Sequence, residues 1–140
     1  MTLHFASFHP VESGAFKAAF TTDDGHGINV FISTSGAALE DEAVAFANDY
    51  LAGEMNIRQQ AANQIFDEHE YIKEELEYAT ADDLLKALVP GALTILWQRQ
   101  ETRMAYLSPM DDFERWGEKY VLLVSYDRNT DELEINLEQA

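Results

Sequence analysis

Hydrophobic residues recur at two periods along this chain, and the switches between them divide it into three blocks. In the first block Phe16, Ala18 and Phe20 share one face of an extended run from Gly14 to Thr21. Ile28, Val30 and Ile32 do the same between Ile28 and Thr34. The polar connection Thr22-Asp23-Asp24-Gly25-His26-Gly27 carries two glycines and fits a hairpin. Upstream, Leu3 to Phe8 alternate weakly and predict a short edge strand that His9-Pro10 breaks.

After Ser35-Gly36 the period lengthens to that of a helix. Leu39, Val44, Ala47 and Leu51 form one stripe, and Glu40, Asp41 and Glu42 crowd its first turn, where carboxylates favour the helix dipole. Gly53 interrupts the pattern. A second stripe, Ile57, Ala61, Ile65, His69, Ile72 and Leu76, predicts one helix or two broken near Asp67. Thr80 with Asp83 three residues on resembles a capping box and opens a short helix through Leu84, Leu85 and Leu88, stopped by Pro90-Gly91.

From Ala92 the period returns to two. Leu93, Ile95 and Trp97 alternate with Thr94, Leu96 and Gln98, and Met104 to Ser108 reads as the return strand. Pro109 to Gly117 reads as a polar loop holding Phe113 and Trp116. Tyr120 to Tyr126 is apolar on both faces, as in a central strand. Leu133, Ile135 and Leu137 alternate strictly with Glu132, Glu134, Asn136 and Glu138. The expected fold is α+β over residues 1–140 as one acidic domain: a strand hairpin, then helices, then a strand meander. This gives a mainly antiparallel sheet of about six strands with two to three helices packed on one side.

Charge changes this picture most between Asp67 and Asp83, where eight carboxylates and one lysine fall within seventeen residues. Drawn as one helix, Ile65, His69, Ile72 and Leu76 face a core, and Asp67, Glu70, Glu74 and Glu77 form a separate row. Tyr71 and Tyr78 lie between that row and Glu68 and Glu75. Like charges three and four residues apart cost a few tenths of a kcal/mol each, and Lys73 is placed to relieve part of this at Glu70 or Glu77.

The whole chain has 26 Asp and Glu against nine Lys and Arg, a net charge of −17. That opposes binding to nucleic-acid phosphates or anionic membranes and favours a basic partner. The apolar fraction of 46% and sixteen aromatic residues separate it from disordered acidic tails. There is no cysteine, hence no disulfide frame or thiolate nucleophile. The start MTLHFASFHPVESG lacks the basic and apolar regions of a secretory signal, so a cytoplasmic protein is expected.

Candidate chemistry is sparse. His69-Glu70 followed by Lys73 lacks the second histidine of a helical zinc motif. Asp127, Asn129, Asp131 and Glu138 occupy positions 1, 3, 5 and 12 of an EF-hand-like loop, but Glu132 stands where the turn needs glycine. The bland alternative is an Asx turn. None of Ser7, Ser13, Ser33, Ser35, Ser108 and Ser125 sits in a nucleophile elbow, and no phosphate-binding glycine loop is present. No catalytic residue and no cofactor is assigned. One acidic helix, with carboxylate steps of about 4.5 to 6 Å, is too sparse to imitate a duplex carrying a charge every ~1.7 Å, so mimicry needs a second acidic row.

From Thr80 onward, the capped Thr80-Ala-Asp-Asp-Leu-Leu, the strands Leu93-Thr-Ile-Leu and Ala105-Tyr-Leu, and Trp116-Gly117 leading to Tyr120-Val-Leu-Leu-Val resemble small uncharacterised bacterial α+β domains. Some of those domains are similar to polymorphic-toxin immunity proteins. The resemblance covers under half the chain and implies a domain that binds rather than converts. The expected function is a non-enzymatic interaction protein for a basic protein partner, such as a toxin. Asp67, Glu70, Tyr71, Glu74, Glu77 and Tyr78 are its expected contact surface. The competing readings are a Ca²⁺-binding module on the Asp127–Asp131 loop, an enzyme whose carboxylate site the sequence does not mark, and an acidic helix that only meets water.

Overall fold

The computed structural model describes residues 2–12 and 14–140. Met1, and Ser13 among the serines screened above, lie outside them. The strands are β1 (His9–Glu12), β2 (Ala15–Thr21), β3 (Gly27–Ser33), β4 (Val89–Leu96), β5 (Glu101–Leu107), β6 (Tyr120–Asp127) and β7 (Glu132–Gln139). Between β3 and β4 run the helices α1 (Asp41–Ala52), α2 (Glu54–Glu68), α3 (Glu70–Leu76) and α4 (Ala81–Ala87). The seven strands lie in sequence order in one sheet. Among the described residues only β3 and β4 pair in parallel. That follows from connectivity, because the helical block is the crossover between them, whereas the short turns elsewhere permit antiparallel pairs.

The predicted alternation sets the core. One register row, Ala18–Val30–Leu93–Met104–Val124–Ile135, crosses six strands, and every member is buried in a cluster with Val44, Ala47, Ile65, Ile72, Leu76 and Leu84 of the helices. The adjacent row, Lys17–Phe31–Thr94–Arg103–Ser125–Glu134, carries the residues of opposite parity. It mixes charged, polar and apolar side chains, and the helices pack on the opposite face with the first row.

The α+β class and the hairpin, helices, meander order stand, and several details differ. Among the described residues there are seven strands, not about six, and four α-helices rather than two to three. Leu3 to Phe8 is not a strand. The Asn48 side chain of α1 accepts from the Leu3 N–H at 2.9 Å and donates to its carbonyl at 2.8 Å, so these backbone groups are satisfied by a helix. The edge strand is instead His9–Glu12. Pro10 is tolerated because it sits at an edge, and the register shifts between Pro10 and Glu12. Pro90 and Gly91 do not merely stop α4; they lie inside β4, at an irregularity in its pairing with β5. Trp116 is fully buried and closes helical turns over Met110–Gly117, where a polar loop is expected. β6 is next to the edge rather than central, with Leu122 and Val124 on the core and Val121 and Leu123 half-buried on the open face. Among the described residues no helix is long and apolar enough to cross a membrane.

Candidate functional site

Of the two forms the stripe from Ile57 to Leu76 allows, the broken one is observed, with the break two residues beyond Asp67. At His69 the backbone leaves helical geometry (φ −114°, ψ 71°), ending α2 through a hydrogen bond from its N–H to Ile65 O and starting α3 by accepting from Lys73 N–H, each 3.0 Å. The apolar stripe continues through this break, with Ile65, Ile72 and Leu76 buried on both sides of it, so the stripe alone leaves the choice between one helix and two open. α3 ends at Leu76, with Glu77 left-handed at φ 62°. Glu77 and Tyr78 therefore leave the helical row predicted for them.

Tyr78 turns inward. Its hydroxyl donates to Asp112 Oδ2 and accepts from Trp116 Nε1, both at 3.0 Å, and the Arg115 guanidinium lies 4.7 Å from its ring centre. Burial raises its pKa, and the Asp112 carboxylate raises it further, against the Trp116 donor. Of the two tyrosines this one fastens the Met110–Gly117 turns to the end of α3. Glu75 is likewise engaged, accepting from Tyr120 Oη at 2.9 Å. Lys73 does not reach Glu70 or Glu77 as expected; its ammonium lies 5.2 Å from the Phe66 ring centre.

What remains open is Asp67 and Glu68 at the end of α2, and Glu70, Tyr71, Glu74 and Glu77 beyond it, all exposed. Tyr71 is 64% exposed. Among the described residues none of these five carboxylates enters an ion pair, because every pair involves Asp24, Glu54, Asp82, Glu101 or Asp112. Beside them an open depression of about 420 Å³ separates Glu68–Ile72 from Ile135, Asn136 and Leu137 of β7. Gln64 bridges one end of it, donating to Leu133 O at 3.4 Å, with its Nε2 also 3.4 Å from His69 Nε2.

The Ca²⁺ reading of the β6–β7 turn meets an unfavourable geometry. Asp127 Oδ1 accepts from Asn129 N–H at 2.8 Å, which is the Asx turn, and Asp131 accepts from the Tyr126 hydroxyl. Glu138 pairs with Val121 far along the ladder, away from the other three. Among the described residues no three His, Asp or Glu side chains are grouped as a metal ion requires.

A second constellation, absent from the sequence expectations, lies at the start of α2. Glu54 and Arg58 are each 3% exposed. Arg58 Nε donates to Glu54 Oε2 at 2.9 Å, Nη2 donates to Oε1, and Nη1 donates to Asp24 Oδ2 at 2.9 Å. Tyr106, also buried, donates to Glu54 Oε2 at 2.6 Å. Burial alone would lower the Arg58 pKa, but the hydrogen bonds and charge of Glu54 and Asp24 outweigh it, so the group is held above its ordinary value. For Asp24 partial burial pulls upward and is outweighed by Thr22, Arg58 and His26, leaving its pKa lowered. The Tyr50 hydroxyl, near Tyr106 and Thr102, is pushed upward by burial and by Glu54, and among the described residues it is not in hydrogen-bonding geometry with a partner. The only local sign of this cluster is Glu54 and Arg58 four apart, an arrangement that usually marks a solvated helix face. Its remaining members come from β5 and the β2–β3 turn. With two carboxylates on one guanidinium, the cluster ties α2 to β5 and to the β2–β3 turn.

No family model, curated protein or solved structure matches the chain.

Proposed function

We propose that this chain is a non-enzymatic acidic interaction protein, acting in the cytoplasm on a basic protein rather than on nucleic acid. An immunity protein that covers the cationic active site of a toxin is the case the sequence resemblance suggests. The observation carrying this reading is Tyr71, 64% exposed among Glu68, Glu70 and Glu74, none of which is ion-paired among the described residues. Unpaired carboxylates steer a cationic partner toward the surface, and an exposed tyrosine supplies contact area once it arrives. Asp67 and Glu77 extend the same field. Tyr78 supports the surface from beneath.

Capture from the source cell at low ionic strength, with the wild-type chain and with a Glu70→Gln, Glu74→Gln, Glu77→Gln variant, tests this. The expected partner is a basic protein whose association rate falls steeply with added salt, and whose rate on the variant is slower and less salt-dependent. A partner binding both chains with the same rate at every salt concentration would remove this surface from consideration.

A further inference from the structure

We propose that the free edge of β7 accepts an extended segment of the basic partner as an added antiparallel strand, which gives the docking mode for the reading above and rests on it. Among the described residues β7 pairs with β6 alone. The Ala140 N–H donates to Lys119 O at 2.8 Å, which sets the parity of the ladder: residues 138, 136 and 134 bond toward β6, and 137 and 135 turn their N–H and C=O outward. Gln64 bonding to Leu133 O agrees with that parity, and it covers only that one carbonyl. The outward groups of Ile135 and Leu137 open onto the depression walled by His69, Glu70 and Tyr71.

The two edges of the sheet are protected differently. β1 is four residues long, contains Pro10 and loses register before Glu12, three features that stop another strand from adding. β7 runs eight residues in unbroken register and has no proline. Its protection is charge, from Glu132, Glu134 and Glu138 on the open face. Charge of one sign rejects a second copy of this chain, because the same glutamates would lie alongside. It attracts a strand with Lys or Arg at alternate positions. Added antiparallel, such a strand would set its cations beside Glu134 and Glu138 and its intervening residues beneath Tyr71, while its backbone bonds Ile135 and Leu137.

The test uses a blocked heptapeptide alternating lysine and valine, with lysine at both ends, and two isomers methylated on backbone nitrogen at either the valines or the lysines. In the proposed register the valine N–H groups face β7 and the lysine N–H groups face away. Valine methylation should therefore weaken binding about tenfold or more, as expected for losing two hydrogen bonds, and lysine methylation should leave it nearly unchanged. The parent peptide should also slow hydrogen exchange at the Ile135 and Leu137 amides. Equal binding of the two isomers, with sensitivity to the triple glutamine change kept, would overturn strand addition and leave the acidic docking surface intact. No binding of the parent peptide at low ionic strength would overturn strand addition too. The docking reading itself falls only if the captured partner also ignores the triple change.

Discussion

Glutamate serves this molecule in two opposite ways, at either end of one helix. At the start of α2, Glu54 is buried and its carboxylate receives Arg58 twice and Tyr106 once. At the end of α2 and through α3, Glu68, Glu70 and Glu74 are exposed and, among the described residues, outside every ion pair. A net charge of −17 therefore does not describe a uniform surface. Where cations are scarce, nine in all, the fold commits Arg58 to one interior carboxylate and leaves the outer row uncompensated. The interior acid should be costly to unpair, and the exterior acids should be slightly costly to keep.

The largest effect is expected at Arg58. Arg58→Ala leaves Glu54 charged, buried and short of two donors, and Asp24 without its guanidinium. Losing one partner of a buried pair costs about 3–5 kcal/mol, so the urea midpoint should fall steeply. Replacing both members with apolar residues, Glu54→Leu with Arg58→Met, should recover much of that loss, since no charge is then stranded. If Arg58→Ala costs no more than an exposed pair, the two ends of α2 are not different in kind.

Strand periodicity was legible because it is local. Ile28, Val30 and Ile32, like Leu93 and Ile95, are buried by the face that their alternation predicts. The Thr80 cap was legible for the same reason, its Oγ accepting from Asp83 N–H at 3.1 Å. The less legible features were fixed by distant residues. Tyr78 turns inward because Asp112 and Trp116, more than thirty residues on, receive it. Glu54 is buried because Tyr106 of β5 donates to it and Asp24 of the β2–β3 turn holds its partner Arg58 from the other side. The row Asp67, Glu70 and Glu74 faces solvent, as its helical spacing predicts. That β7 is an edge, and that its free groups open beside that row, follows from the order of strands in the sheet, which no local pattern encodes.

A smaller effect of opposite sign is expected at Glu74. It sits four residues after Glu70 and near the end of α3, where a negative charge opposes both its neighbour and the helix dipole. Glu74→Gln should stabilise the fold by about 0.3–0.5 kcal/mol at low ionic strength. The gain should fade in 1 M salt, where charges are screened beyond about 3 Å. Thermal or urea unfolding at the two salt concentrations measures it. Stabilisation that survives high salt would mean the outer row is not held apart by charge.

The smallest effect lies on the boundary between the two uses, at Glu75, the neighbour of Glu74 that the fold does engage. Tyr120 donates to Glu75 at 2.9 Å. Hydrogen bonds with Glu75 first, and then Tyr71, push the Tyr120 pKa up to about 12. A phenol whose pKa is higher folded than unfolded binds more protons in the native state between the two values, so its stabilising share is complete below about pH 10 and is lost as pH rises through about 12. Tyr50, Tyr78, Tyr106 and Tyr126 are raised as well, so the readout is the 295 nm titration of the wild type minus that of Tyr120→Phe, which should isolate a step later than that of an exposed tyrosine. Glu75→Gln should move that step down toward 10, and Glu74→Gln should leave it in place. Two adjacent glutamates on one short helix would then differ in the way the two ends of α2 do, one held by a donor from β6 and one left for whatever binds. If both changes shift Tyr120 equally, general negative potential sets its pKa, and the division between engaged and free acids does not extend to single residues of α3.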